Sequence, residues 1–273
     1  MIVVESGGTK SIWMFEDSKG LLRKEVSVGL HPREISEEKT NLIHSFIKEN
    51  ELKNRDVYFY GAGCESGQAK NIIQDFLNNQ ELKTKEVNTD IYAACVSHLG
   101  NNKGVVAILG TGAVAAKYDG NKVVKITSGW GYLLGDEGSG FDLGKRLLQL
   151  HISNQLPKEI KDEVNQYFGN NAILHRIYAP DGRKLVAGLA KIIQKFKEEK
   201  IIKQMIFQAF SDFCDTAIKP LQTKEKINFI GSVAYFFQEE LRKTLKSKDY
   251  TFGEVKQEAI DGVFDFVRNN KGF

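Results

Sequence analysis

The chain has 273 residues, of which 41% are hydrophobic and 27% charged, and Lys plus Arg exceed Asp plus Glu by only 38 to 35. This balance is ordinary for a globular protein, and the lack of a basic block argues against a nucleic-acid or membrane-surface partner. No apolar stretch is long enough to span a bilayer, no signal-peptide profile is present, and Cys64, Cys95 and Cys214 form neither a disulfide framework nor a metal spacing. We therefore expect a cytoplasmic protein.

The first elements are short apolar runs separated by turns. Runs at residues 2–4 and 11–15 predict two strands, and the Asp-Ser-Lys-Gly turn at 17–20 leads into a third, roughly over 22–28. The first turn, residues 5–10, reads Glu-Ser-Gly-Gly-Thr-Lys. Glycine and threonine in such a turn let backbone N–H groups approach an anion closely, although an ordinary hairpin has the same composition.

Helices and strands then alternate. Helical spacing of apolar residues predicts helices over 35–47, 69–77 and 91–99, with strands at 57–60 and near Val87. This alternation indicates α/β layering. Asp90 lies where a strand ends and a helix begins, so it is either a helix-capping residue or a general base.

The strand–turn–strand plan recurs in the second part of the chain. Apolar runs at 105–109, 113–116 and 123–126 follow one another, and Gly110-Thr111-Gly112 forms the first turn. The repetition predicts an internal duplication with one phosphate-binding turn in each half. Neither turn matches the P-loop pattern, which requires Gly-Lys-Ser/Thr at the start of a helix.

A glycine-rich loop follows at residues 128–140, with the sequence Ser-Gly-Trp-Gly-Tyr-Leu-Leu-Gly-Asp-Glu-Gly-Ser-Gly. So many glycines favour a loop that wraps around a ligand. Asp136 and Glu137 precede a helix, and a favourable interaction with its dipole is the alternative reason for their presence. Trp130 suits the face of a sugar, although tryptophan is more often a core residue.

The remainder is mostly helical. Apolar stripes predict helices over 141–150, 185–196 and 201–213, a strand at 227–230 that breaks at Gly231-Ser232, and helices over 233–245 and 259–267. We expect an N-terminal lobe over residues 1–100 and a C-terminal lobe with helical additions over 101–273. The final helix can pack back on the N-terminal lobe.

The motifs at 5–10, 88–90, 109–113, 128–140, 185–189 and 229–234 together resemble the N-acetylglucosamine kinase branch of the BadF/BadG/BcrA/BcrD ATPase family, within the actin, hexokinase and Hsp70 superfamily. The most specific motif is Gly-Trp-Gly followed by Gly-Asp-Glu-Gly-Ser. The resemblance implies two ribonuclease-H-like lobes, each with a five-stranded mixed sheet flanked by helices, and a ligand cleft between them. It also implies ATP, Mg²⁺ and a small amino sugar as ligands, and it leaves a homodimer open.

The resemblance assigns a role to each candidate site residue. Asp90 corresponds to the catalytic base, and Glu5 would hold Mg²⁺ directly or through water, or else pair with a lysine. The sugar would contact His31, Gly129, Trp130 and Asp136. The nucleotide would contact Gly7, Gly8, Thr9, Lys10, Thr111, Gly112, Ala187, Gly231 and Ser232.

Three positions depart from the family pattern. Glu5 stands where the family usually has Asp, Ala113 where it has Ser, and His31 where it has an Asn that binds sugar hydroxyls. The predicted reaction is transfer of the γ-phosphoryl of ATP to the 6-hydroxyl of N-acetylglucosamine or a close amino sugar. The alternatives are a kinase for N-acetylmuramic acid or glucosamine, a sugar-binding regulator without catalysis, and an ATPase activator of the dehydratase type.

Overall fold

The computed structural model describes residues 1–7, 10–169 and 173–270. The chain divides into two compact units, Met1–Asn102 with Glu258–Phe273 and Lys103–Gln257. Among the described residues, no helix is both long and apolar enough to cross a membrane.

The first unit begins with strands and helices in alternation. In chain order these are β1 (Ile2–Ser6), β2 (Lys10–Glu16), β3 (Leu22–Val28), α1 (Glu37–Glu49), β4 (Asp56–Gly61), α2 (Gly67–Asn79), β5 (Lys83–Thr89) and α3 (Asp90–Leu99). The predicted helix over 35–47 begins later than expected, because Ser36 is its N-cap and Ile35 lies outside it. Serine favours this position since its hydroxyl accepts a hydrogen bond from a free backbone N–H group.

The sheet of the first unit has the strand order β3-β2-β1-β4-β5 within the described residues. β1 is antiparallel to β2 and parallel to β4. Ile2, Val3 and Val4 are fully buried because β1 is central and is covered on both faces. The carboxyl ends of β1, β4 and β5 therefore lie side by side, with Gly61 of β4 in register with both Ser6 and Thr89.

The second unit repeats this plan and adds helices. Its elements are β6 (Gly104–Leu109), β7 (Ala113–Tyr118), β8 (Val123–Ser128), α4 (Gly140–Ile152), α5 (Lys158–Phe168), α6 (Ile173–Ile177), α7 (Gly182–Gly188), α8 (Ala190–Lys195), α9 (Lys200–Phe213), β9 (Ile227–Ile230), α10 (Ser232–Phe236), α11 (Gln238–Ser247) and β10 (Phe252–Lys256). A π-helical turn, Cys214–Ile218, and a 3₁₀ turn, Lys219–Leu221, follow α9.

Its sheet has the order β10-β9-β6-β7-β8. Read from the opposite edge, this is the order of the first sheet, with β6 to β10 in the places of β1 to β5. β6 is antiparallel to β7 and parallel to β9, as β1 is to β2 and β4. Both sheets are mixed and have five strands among the described residues. This confirms the predicted fold class.

Several predicted boundaries were wrong. The apolar stripe over 185–196 forms two helices, α7 and α8, that meet at Leu189, and the stripe over 233–245 is likewise divided at Phe237. A further strand, β10, follows the predicted strand at 227–230 and was not predicted. The final helix, α12 (Ile260–Asn270), is not one of these errors: it belongs to the first unit, as the sequence analysis allowed, and packs against α3 and β1.

Candidate functional site

The β1–β2 turn of the first unit contains the first predicted phosphate-binding residues. Gly7 donates its backbone N–H to the carbonyl of Lys10 at 3.0 Å. Gly8 and Thr9 lie outside the described residues. The Nζ of Lys10 lies 2.7 Å from Oε1 of Glu258, so this predicted nucleotide contact is ion-paired with the segment that leads into α12.

Glu5 is engaged with the same segment. Its Oε2 accepts a hydrogen bond from the backbone N–H of Ala259 at 2.9 Å. Burial raises the pKa of the Glu5 carboxyl to about 7, with a further rise from the negative charges of Glu258 and Asp90, while hydrogen bonds from the Ala259 and Ile260 backbones act against it. Glu5 therefore caps α12 at a position where the sequence predicted a Mg²⁺ ligand.

Asp90 is the first residue of α3, at the carboxyl end of β5. The helix is capped by Thr89, whose side chain accepts a hydrogen bond from the N–H of Tyr92 at 3.2 Å, so the alternative of Asp90 as the cap was wrong. One oxygen of Asp90, Oδ1, accepts the N–H of Ile91 at 2.8 Å. Burial raises the pKa of Asp90 to about 6, and the charge of Glu65 adds to the rise. Such a carboxylate is ionised at neutral pH and basic enough to accept a proton.

His31 lies at the same end of the sheet, held by the end of β1. The buried Ser6 side chain accepts the N–H of Leu30 at 2.9 Å, which fixes the backbone before His31. Nδ1 of His31 accepts the N–H of Arg33 at 3.2 Å, so the ring hydrogen of the neutral form is on Nε2. A Cβ built at Gly63 would lie 2.4 Å from Nε2, and Gly63 has a φ of +83°. Only glycine there leaves room for the imidazole.

Burial lowers the pKa of His31, which favours its neutral form. The exposed Glu65, in the connection from β4 to α2, influences both the pKa of His31 and that of Asp90. No sequence motif marks Glu65, since a lone glutamate before a helix has no distinguishing pattern.

The second predicted phosphate turn, Gly110-Thr111-Gly112, joins β6 to β7. Its backbone is held at three points: Gly110 N–H donates to the Gly112 carbonyl at 3.0 Å, Gly140 N–H to the Gly110 carbonyl at 2.8 Å, and Phe141 N–H to the Thr111 carbonyl at 3.3 Å. Thr111 is exposed at the tip. The start of α4 thus fixes the turn while its threonine remains accessible.

Three other predicted nucleotide contacts belong to this unit. A Cβ built at Gly231 would lie 2.3 Å from the Leu109 carbonyl oxygen, so the β9–α10 junction is packed directly on the end of β6. A Cβ built at Gly140 would lie 3.3 Å from the Gly110 carbonyl and 3.5 Å from the Ala187 carbonyl. The structure therefore brings Gly231 and Ala187 close to the turn, and Ser232, which is exposed, opens α10.

Asp136 lies beside the same turn. Its side chain is buried, and Oδ1 accepts the N–H of Ala113 at 3.1 Å. Oδ2 has no hydrogen-bond partner within the described part of the chain, and it lies 3.0 Å from a Cβ built at Gly112. Burial raises the pKa of Asp136, against the Ala113 hydrogen bond and the charge of Arg183. Arg183, which the sequence analysis missed, has Nη2 3.5 Å from Oδ2.

The loop before Asp136 exposes its apolar side chains. Trp130 is 77% exposed, so it is not the core residue that was the alternative interpretation. Gly129 and Gly131, on either side of it, have φ values of +78° and +79°, a conformation that glycine adopts without strain. The indole is thus available to a ligand. Glu137 instead accepts a hydrogen bond from the hydroxyl of Thr216 at 3.1 Å.

The comparisons with known proteins agree with this architecture. The model of the BadF/BadG/BcrA/BcrD ATPase family matches residues 4–248. An N-acetylmuramic acid/N-acetylglucosamine kinase of Clostridium acetobutylicum is 32% identical over 96 residues, which are 34% of this chain and 31% of that protein. The matched segment spans less than a third of that relative's length.

Solved structures match over almost the whole chain. A candidate N-acetylglucosamine kinase of Porphyromonas gingivalis has a TM-score of 0.91 and 26% identity, with 99% of each chain covered. A candidate N-acetylglucosamine kinase of Chromobacterium violaceum has a TM-score of 0.74 and 17% identity over 98% of each chain. A ROK family glucokinase of Streptomyces griseus, in complex with glucose and AMPPNP, has a TM-score of 0.59 and 14% identity over 99% of each chain. The last two show likeness of fold alone.

Proposed function

Because this chain belongs to the BadF/BadG/BcrA/BcrD ATPase family, we propose that it is an ATP-dependent kinase for an amino sugar, transferring the γ-phosphoryl of ATP to the 6-hydroxyl of N-acetylglucosamine or a close analogue. The similarity to proteins described as kinases for N-acetylated amino sugars supports this substrate class.

The observation that carries the proposal is the carboxylate of Asp90, at the end of β5, with a pKa raised to about 6. A sugar hydroxyl is a poor nucleophile until its proton is removed as the new phosphorus–oxygen bond forms. A carboxylate of this basicity is ionised at neutral pH and accepts that proton, which phosphoryl transfer to an alcohol requires.

The other candidate residues have separate tasks in this proposal. The Gly110-Thr111-Gly112 turn binds nucleotide phosphates through the backbone N–H groups of Thr111 and Gly112 and the Thr111 hydroxyl, because the N–H of Gly110 already donates to the Gly112 carbonyl. The Oδ2 of Asp136, which makes no hydrogen bond within the described part of the chain, accepts one from a sugar hydroxyl, and Trp130 packs against the sugar ring. His31 donates from Nε2, because its Nδ1 is already an acceptor.

The residues present fit a magnesium ion that is held mainly by water and phosphate. Glu5 offers a carboxylate whose pKa is raised by burial and by the negative charges of Glu258 and Asp90, and a nearby cation would lower that pKa. Among the described residues, no group of three or more His, Cys, Asp or Glu could hold a metal, so a single carboxylate with waters and phosphate oxygens is the suitable donor set. When bound, Mg²⁺ neutralises charge on the transferred phosphoryl group. Lys10 reaches the nucleotide by exchanging Glu258 for a phosphate oxygen.

The experiment is a coupled ADP-release assay with N-acetylglucosamine, N-acetylmuramic acid, glucosamine and glucose, each with and without Mg²⁺. We expect ADP release that depends on an N-acetylated amino sugar and on Mg²⁺. Equal ADP release without any sugar would contradict the kinase and favour an ATPase.

A second candidate, a sugar-binding regulator without turnover, is favoured by one observation. Glu5 and Lys10 are both engaged with the segment that starts α12, through Ala259 and Glu258. If those contacts persist in the presence of nucleotide, the first turn loses its metal and phosphate ligands. Calorimetric binding of N-acetylglucosamine without any ADP release would identify this alternative.

A further inference from the structure

Arg183 makes two contacts in the second unit that no motif predicted. Its Nη2 lies 3.5 Å from Oδ2 of Asp136, and its guanidinium carbon lies 5.2 Å from the ring centroid of Tyr132. The Tyr132 ring in turn packs on Phe141, with 4.9 Å between their centroids. One side chain thus joins Asp136 to Tyr132, four residues earlier in the same glycine-rich loop.

Asp136 is held by these contacts in an unusual state. It has a φ of +62°, which is uncommon for a residue other than glycine. Oδ1 is committed to the Ala113 N–H, whereas Oδ2 is buried without a hydrogen bond in the described part of the chain. At 3.5 Å, Arg183 attracts Oδ2 electrostatically but does not use its hydrogen-bonding capacity. Oδ2 is therefore oriented and still free to accept a ligand hydroxyl.

We propose that Arg183 is a positioning residue for the sugar site, which fixes the Asp136 carboxylate and the Tyr132 ring so that Oδ2 faces the sugar hydroxyl. This inference rests on the proposed function. Arginine suits the task because its planar guanidinium pairs with a carboxylate at one edge and stacks on an aromatic ring with its face. Lysine keeps the charge and loses the planar stacking.

The placement of Arg183 on α7 connects the loop to the phosphate turn. Arg183 and Ala187 are four residues apart on this helix, so they share one face. A Cβ built at Gly140 would lie 3.5 Å from the Ala187 carbonyl, and Gly140 holds the turn through Gly110. The helix α7 thus lies against the start of α4, which holds the phosphate turn, and also reaches the Asp136 carboxylate through Arg183.

The test compares the steady-state kinetics of Arg183→Met, Arg183→Lys and wild type. We expect Arg183→Met to raise the KM for N-acetylglucosamine roughly tenfold, with a much smaller change in kcat and in the KM for ATP. The KM of Arg183→Lys for N-acetylglucosamine should lie between those of wild type and Arg183→Met. Tyr132→Leu should shift the sugar KM in the same direction, and Tyr132→Phe should restore it, because phenylalanine keeps the ring. The matched control is Arg176→Met, since Arg176 pairs at 3.8 Å with Asp181 in the same unit.

A double-mutant cycle shows whether Arg183 acts through Asp136. In the Asp136→Asn background, Arg183→Met should add little to the sugar KM, because the charge that Arg183 orients is already gone. Full additivity, or an unchanged sugar KM in the single variant, would overturn the inference. Equal rises in the KM for N-acetylglucosamine and the KM for ATP, together with a lower Tm, would also overturn the inference, because they indicate a purely structural role for Arg183.

Two readouts do not depend on turnover. Calorimetry measures the Kd for N-acetylglucosamine, which should rise with the sugar KM. Acrylamide quenching reports on Trp130, because the chain's other tryptophan, Trp13, is fully buried; we expect Arg183→Met to change the quenching of Trp130. If wild type neither binds nor phosphorylates any sugar, the proposed function fails and this inference fails with it. If wild type is active and Arg183→Met matches it, only this inference fails.

Discussion

The carboxylate of Glu5 accepts a hydrogen bond from the backbone N–H of Ala259, with 2.9 Å between Oε2 and the nitrogen. Glu5 belongs to the central strand of the first unit, and Ala259 directly precedes its last helix, α12. The first N–H groups of a helix have no partners within it, so a carboxylate from elsewhere in the fold stabilises its start. The side chain expected to hold Mg²⁺ is thereby also a structural cap.

The pH dependence of stability should change in Glu5→Gln. The folded protein raises the pKa of Glu5 from 4.5 to about 7, chiefly by burial. Its contribution to stability is therefore fully present below the unfolded pKa and is lost as the pH rises through the folded one. Gln keeps an acceptor oxygen for Ala259 but has no charge. Calorimetry in Mg²⁺-free buffer should show the Tm of Glu5→Gln rising relative to that of wild type by a few degrees between about pH 4.5 and about pH 7, with no further gain above that range.

Glu5→Asp is the control for the cap. The shorter side chain keeps the charge but withdraws the carboxylate from Ala259, at a cost of about 1 kcal/mol, so the Tm should fall at every pH. Parallel curves of Tm against pH for wild type and Glu5→Gln would show that Glu5 does not titrate as described.

Replacement of the candidate base should separate binding from turnover. Asp90→Asn keeps the size and the oxygen that accepts the Ile91 N–H, and it removes the group that takes the proton. We expect kcat to fall on the order of 10²–10⁴-fold while the Kd for N-acetylglucosamine stays within about twofold. Stopped-assay ADP release and calorimetry measure these quantities. Turnover near that of wild type would remove Asp90 from the mechanism.

The activity of the wild type should depend on the ionisation of Asp90. Its pKa is raised to about 6, chiefly by burial, and only the ionised carboxylate accepts a proton. As the pH falls below that value the protonated form accumulates, so kcat/KM should fall about tenfold per pH unit. The residual activity of Asp90→Asn is the control, because its kcat/KM should not show this fall at low pH. A profile for wild type that is flat through about pH 6 would contradict the assignment.

Gly231, at the junction of β9 and α10, should tolerate no side chain. Gly231 has a φ of +116°, and an added Cβ would lie 2.3 Å from the Leu109 carbonyl oxygen. Gly231→Ala should lower the free energy of unfolding by about 2 kcal/mol or more, through both strain and displacement of backbone. Gly169→Ala is the matched control, since Gly169 has a φ of +66° and an added Cβ there meets no atom of the described residues within 4 Å. We expect it to lower the free energy of unfolding by only about 1 kcal/mol. If urea unfolding shows that the two variants lose the same free energy of unfolding, a backbone clash at Gly231 is excluded.

Local patterns were sufficient for most elements of this fold. The strand Ile227–Ile230 has the predicted bounds because it is a buried apolar run between polar residues. The strand Leu22–Val28 has them because the Asp17–Gly20 turn fixes where the chain returns along β2, although most of its residues are polar and exposed. β10 was missed because Phe252 and Val255 are only half-buried and alternate with glycine and charged residues at the edge of the sheet. The break between α7 and α8 was missed because the apolar stripe continues through buried Leu189 into the same core.

The sequence by itself determined the repeated strand plan, the two glycine turns and the position of Asp90 at a strand end, because these depend on the spacing of neighbouring residues. Only the tertiary structure decided which side chains remain available at the candidate site. It pairs Lys10 with Glu258, directs Glu5 to Ala259 and sets Arg183 beside Asp136. Partners so far apart in the chain leave no periodicity to read, since their contact depends on how the whole backbone folds.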